Sequence, residues 1–207
     1  ESLPTITVLN HGFGGQYFHW SNKYNVGGGL KFAYNSHSIV EKLYQHLNGN
    51  LTIYVAKANP DLIIDDETNP IESYKYNGYK LYKVSHFDYV SNANNEVEVD
   101  YLDDVSKHIL ILFNSDDKTR SSTHAIAYEE FHNVLDDISY QYKLLTGVLP
   151  RYNLIGHSRG GIINLMYATE HIYNVHSLYS LGTPYNGAVL GNIGPIMEAF
   201  GYYITDS

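Results

Sequence analysis

The sequence predicts an α/β fold, a mainly parallel sheet with helices on both faces, and three observations carry that prediction. Short apolar or β-branched runs alternate with longer stretches at helical spacing from residue 108 onward, and the same alternation opens the chain. The run Ile109-Leu110-Ile111-Leu112-Phe113 is apolar at every position, as a strand covered on both faces must be. Two of the runs lead straight into glycine-rich loops, His11-Gly12-Phe13-Gly14-Gly15 and Gly156-His157-Ser158-Arg159-Gly160. Strands separated by helices imply right-handed crossovers between parallel neighbours.

The elements follow in order. Residues 5–10 are a β-rich run that ends in the first glycine loop. Residues 16–36 are aromatic and glycine-rich and read as loop. Ile39, Val40, Leu43, Tyr44 and Leu47 recur at helical spacing over 38–47, and Asn48-Gly49-Asn50 stops that helix. A strand is expected at 51–56. Residues 57–106 are the least regular part and read as an excursion decorating the sheet, with a hairpin signal at Asn77-Gly78 within 72–84. After the strand at 109–113, residues 123–145 place Ala127, Phe131, Val134, Leu135, Ile138, Tyr142 and Leu145 on one face, and Gly147 ends the helix. A strand at 152–155, a helix at 162–171 and a strand at 177–181 complete the pattern.

At 207 residues the chain is the size of one domain with a real core. It has 43% hydrophobic and 17% charged residues, which separates it from disordered sequences. A formal net charge of −9 argues against nucleic acid or an anionic membrane as a general partner. It leaves room for a transient apolar contact with a lipid interface. There is no cysteine, so disulfides and thiolate metal sites are excluded. No apolar run reaches the roughly 18–20 residues that cross a bilayer. The chain begins at Glu1 rather than Met, as a processed or trimmed N-terminus would.

The chemistry concentrates at Ser158. G-x-S-x-G is a loose pattern alone, but here an apolar strand precedes it and a helix follows, as a nucleophile elbow requires. Glycines two residues either side let strand and helix approach, and the serine projects at the helix N-terminus, where free N–H groups favour an oxyanion. The loop at 11–15 is the expected second donor. The Arg159 and Phe13 N–H groups are therefore the candidate oxyanion donors. A phosphate loop is disfavoured, because neither the P-loop Lys-Ser/Thr nor G-x-G-x-x-G spacing is present. A third segment, Leu181-Gly182-Thr183-Pro184-Tyr185-Asn186-Gly187, reads as a strand ending in a turn beside the elbow.

Together the HGFGG loop, the GHSRGG elbow and the LGTPYNG turn resemble the lipase and esterase branch of the α/β-hydrolases. The resemblance runs from residue 5 to about residue 187, with 57–106 unmatched, and Tyr185 stands where many bacterial lipases carry histidine. It implies a serine carboxylic-ester hydrolase working through an acyl-enzyme at Ser158, without cofactor or metal. In that superfamily an acid and then a histidine follow the serine. Here only His171 and His176 follow it, and neither stands where the base belongs; Asp206 is the candidate acid. The chain thus reads as the front part of the hydrolase fold, lacking the C-terminal strands, with a second chain as one source of the remainder. Tyr17, Phe18 and Trp20 are candidates for an acyl pocket, or else pack their loop onto the core.

The remaining histidines form no H-E-x-x-H or other helical zinc pair and read as scattered surface residues. The acids between Glu96 and Asp104 lack EF-hand spacing and read as a solvated loop. The substrate expected is a lipid or other small ester, and the location secreted or cell-surface, with the cytoplasm as the alternative. A non-catalytic hydrolase-like scaffold and an acyltransferase using the same serine are the competing readings.

Overall fold

The computed structural model describes residues 5–20, 23–26, 29–32, 38–64, 71–91 and 95–185. Its parallel strands are the apolar runs of the sequence. They are β1 (Thr5–Asn10), flanked by β9 (His108–Asn114) and β10 (Arg151–His157), with β4 (Leu51–Ala58) beyond β9 and β11 (Val175–Leu181) beyond β10. The numbering follows the chain, where β2 (Lys23–Val26), β3 (Gly29–Phe32), β5 (Asp61–Ile64), β6 (Ile71–Lys75), β7 (Tyr79–Val84) and β8 (Val97–Val99) complete the strands. The central sheet has seven strands in the order β11-β10-β1-β9-β4-β7-β8. This is the α/β-hydrolase type of architecture the sequence predicts.

Alternation along each strand sorts the core into two layers. On one face Ile6, Val8, Ile109, Ile111 and Leu154 meet α3 (His124–Thr146) and α4 (Arg159–Glu170) through Phe131, Val134, Ile138, Ile163 and Tyr167. On the other, Leu9, Ile53, Val55, Leu110 and Leu112 meet Val40 of α1 (Ile39–His46) and Tyr89 of α2 (His86–Ser91). Both sides of β9 are therefore buried, which is why its sequence carries no polar alternation. Local signals set the helix ends. The Ser38 hydroxyl accepts from the Glu41 N–H at 3.0 Å, and Gly147 closes α3 in the left-handed region at φ 80°.

Two expectations are corrected. Residues 16–36 hold more than loop: Tyr17–Trp20 form a 3₁₀ turn, and β2 and β3 pair as an antiparallel hairpin. The Asn77-Gly78 turn does form, with Gly78 at φ 82°, but it does not join two paired strands. β6 pairs with β5, whereas β7 pairs antiparallel with β4 over six positions of the central sheet. A turn signal fixes where the chain bends and leaves the pairing partner to tertiary context. Residues 57–106 thus add two antiparallel strands, β7 and β8, to the main sheet rather than only decorating it. Several acids of this segment are ion-paired, Glu96 with Lys57, Glu98 with Lys80 and Asp103 with Lys83. Among the described residues, no helix is long and apolar enough to cross a membrane.

Candidate active site

The register of β1 and β10 places Asn10 opposite Gly156, so both glycine loops leave the sheet side by side at its carboxyl end. Ser158 sits at the turn from β10 into α4 with φ 52° and ψ −122°. A non-glycine residue with positive φ stores roughly 1–3 kcal/mol of strain and persists only where its surroundings impose it. Those surroundings are visible. The Ser158 N–H donates to the Leu181 carbonyl at 2.9 Å, and its own carbonyl accepts from the Gly161 N–H and from Thr183 Oγ1, each at 3.0 Å. The serine occupies the N-cap position of α4, where a hydroxyl normally accepts from the first turn. Here it makes no such bond, and among the described residues Oγ has no hydrogen-bond partner. The backbone is fixed on three sides while the hydroxyl is left unused and partly exposed.

Close approach explains the two flanking glycines. A Cβ on Gly160 would lie 2.2 Å from the Asn10 carbonyl oxygen, and one on Gly156 would lie 2.5 Å from the Gly161 nitrogen. Strand, turn and helix touch through backbone at both positions.

The 11–15 loop lies against the elbow: a Cβ on Gly12 would be 3.1 Å from Ser158 Cβ. Within the loop the Gly14 N–H donates to the Arg120 carbonyl and the Gly15 N–H to the Gly12 carbonyl, both at 2.9 Å. The Phe13 N–H has no partner among the described residues, and neither does the Arg159 N–H, which as the first helical residue lacks an intrahelical acceptor. The two donors expected from the sequence are thus the uncommitted ones.

His11 is not available as a base. Its Nε2 accepts from the Ser115 N–H at 3.1 Å, which leaves Nδ1 as the protonated nitrogen donating to the Gly12 carbonyl at 2.8 Å. The neutral ring is buried and holds the loop in place.

A network that sequence reasoning missed backs these loops. The Arg159 side chain is buried, with its guanidinium donating to the carbonyls of Ser122 and Arg120, each at 2.7 Å, and lying 5.2 Å from the Phe13 ring centre. One side chain therefore ties the elbow, the 11–15 loop and the turn before α3 together. Burial lowers the guanidinium to about 10, opposed by the nearby Glu130 carboxylate. Glu130 is fully buried and accepts from Thr119 Oγ1 at 2.5 Å, and burial pushes its carboxyl up to about 7. No local pattern announces an arginine after the serine as a buried clamp, because its partners are backbone carbonyls 37 and 39 residues away.

Other expected residues fall elsewhere. Tyr17 and Trp20 pack against the second core layer, and the Tyr17 hydroxyl donates to Glu96, which supports the packing alternative for them. The Phe18 side chain and Asp206 lie outside the described residues. His171 caps the far end of α4, about 18 Å along a twelve-residue helix from Ser158. His176 lies at the start of β11, the opposite end of the sheet from the elbow. Among the described residues, no histidine or carboxylate hydrogen-bonds Ser158. An open cleft lined by Tyr76, Tyr79, Lys80, Glu98, Asp137 and Gln141 shares no residue with the elbow or the loop, and its polar walls hold no chemistry of this kind.

A family model described as an alpha/beta hydrolase of unknown function (DUF915) matches residues 79–195, more than half of the chain. The chain belongs to that family. The match takes in the elbow and the Gly182-Thr183-Pro184 turn and begins after the 11–15 loop. No curated protein and no solved structure matches the chain.

Proposed function

For this member of an alpha/beta-hydrolase family, we propose a serine carboxylic-ester hydrolase that works through an acyl-enzyme at Ser158. The observation that carries the reading is the serine itself: a strained N-cap residue whose hydroxyl is withheld from its own helix, between two free N–H donors. Ser158 Oγ attacks the acyl carbon, and the Phe13 and Arg159 N–H groups receive the charge that develops on the carbonyl oxygen. The alkoxide departs with the serine proton, and water then cleaves the acyl-enzyme. A histidine outside this chain would carry that proton, with Asp206 as the candidate acid. The substrate class that goes with this reading is a lipid or other acyl ester.

Hydrolysis of short-chain p-nitrophenyl esters by the full-length protein is the expected result, falling at least about 10³-fold in Ser158→Ala. One observation favours a second reading: no described histidine reaches Ser158, as in a scaffold that has lost its triad. Failure of the full-length protein to hydrolyse any ester in a chain-length series would establish that scaffold. Formation of a new ester when an alcohol is added, at the expense of free acid, would identify an acyltransferase instead.

A further inference from the structure

The far end of the α3–α4 pair brings together three groups that the sequence scatters. His132 and Asp136 stand one turn apart on α3, with Nε2 and Oδ2 separated by 3.5 Å. His171 caps α4 beside them, and one ligand atom from each of the three residues lies within 4.8 Å of the others. Donor atoms bound to one tetrahedral zinc ion at 2.0–2.1 Å are about 3.3 Å apart. The His132–Asp136 pair is already close to that spacing at 3.5 Å, and the three donor atoms need to close by at most about 1.5 Å.

The rings are also held for the task. Tyr128 stacks on His132 with centroids 5.5 Å apart, Tyr167 stacks on His171 at 4.4 Å, and the two imidazoles are 5.8 Å apart. Tyr167 is itself buried in the first core layer, so the His171 ring rests on a fixed platform. Stacking restricts the imidazoles to a narrow set of orientations, which lowers the entropy lost when both turn toward one ion. His132 and Asp136 are 30% and 45% exposed, so an ion and a completing water have access from solvent. The C-terminal carbonyls of α4 add a negative partial charge at His171.

We propose that His132, Asp136 and His171 form a binding site for one divalent transition-metal ion of the zinc class. Two imidazoles and one carboxylate suit zinc, nickel or copper and give a poor cage for calcium or magnesium, which require more oxygen ligands. The bound ion would clip the end of α4 to the middle of α3, far from Ser158, so its role is to fasten the two helices. This site is independent of the ester-hydrolase reading.

Calorimetric titration of the chelator-treated full chain with zinc chloride tests it, using His171→Ala, His132→Ala and Asp136→Asn, with His46→Ala as a control on an unrelated histidine. One tight equivalent is expected in wild type and His46→Ala. In each of the three site variants that equivalent should weaken by more than the roughly 10–100-fold typical of outer-shell changes. Calcium and magnesium should produce no such event. Zinc should also raise the melting temperature of wild type and not of His171→Ala, in protein whose circular dichroism shows it folded. Absence of a tight zinc equivalent in wild type, or its persistence unchanged in the site variants, would overturn the proposal.

Discussion

The two ends of α4 are built in opposite ways. At the amino end, strand, turn and helix meet through backbone, the nearest side chain is denied a Cβ at Gly160, and Ser158 is held at a strained φ by bonds to its own amide and carbonyl. At the carboxyl end, α4 meets His132 and Asp136 of α3 through side chains, with the His171 ring beside them. The amino end tolerates almost no change of shape, whereas at the carboxyl end the stacked rings keep their orientation and small side-chain shifts are enough to close the three groups on an ion. The site proposed for chemistry sits at the rigid end, where a hydroxyl can be aimed, and the proposed fastening site at the adjustable one.

The sharpest way to break that contrast is to add one methyl group at the rigid end. Gly160→Ala must push its Cβ away from the Asn10 and His11 carbonyl oxygens, at 2.2 and 2.6 Å. Backbone cannot swing aside as a side chain can, so the loss is expected at or above the roughly 1–3 kcal/mol of ordinary overpacking. Urea unfolding of the variant against wild type measures it, and a loss under 1 kcal/mol would show that the elbow is softer than argued.

A second prediction concerns the charge buried behind the loops. Burial raises the Glu130 carboxyl in the folded state to about 7, above its value in the unfolded chain. The folded state therefore holds this proton more tightly, and the stabilisation is fully present at low pH and is lost as pH rises toward 7. The full shift corresponds to about 3 kcal/mol. Glu130→Gln should remove this fall, so that unfolding free energies at pH 5 and pH 7.5 differ less in the variant than in wild type. An equal pH slope in both would place the titration elsewhere.

The smallest expected effect is also the most diagnostic for strain. Ser158→Gly relieves the positive φ, worth roughly 1–3 kcal/mol, and adds back roughly 0.5–1 kcal/mol of unfolded-chain entropy. The variant should be about 1 kcal/mol more stable than wild type while losing the proposed activity. A destabilised Ser158→Gly would mean that the turn is not strained.

The same contrast explains what the sequence could disclose. Backbone contact demands glycine at fixed offsets from one serine, so Gly156 and Gly160 were legible as an elbow, and Gly12 as part of the neighbouring loop. The all-apolar β9 and the capped ends of α1 and α3 were equally open to reading, because burial on both faces and capping chemistry act over a few residues. What stayed hidden depends on distance along the chain. Arg159 spans 37 and 39 residues to its carbonyl partners, and β7 chooses β4 over its sequence neighbour β6. His171 meets His132 only because α4 packs beside α3. Spacing such as His-x-x-x-Asp carries little signal without the third group that makes it a site.

On the proposed function, Ser158 is an activated nucleophile and not an idle turn residue. Treatment of the full-length protein with a fluorophosphonate, with the adduct located by mass spectrometry, separates the two. One adduct is expected, on the peptide carrying Ser158 and absent from Ser158→Ala. No adduct on the folded full-length protein, or one on a different serine, would contradict that function.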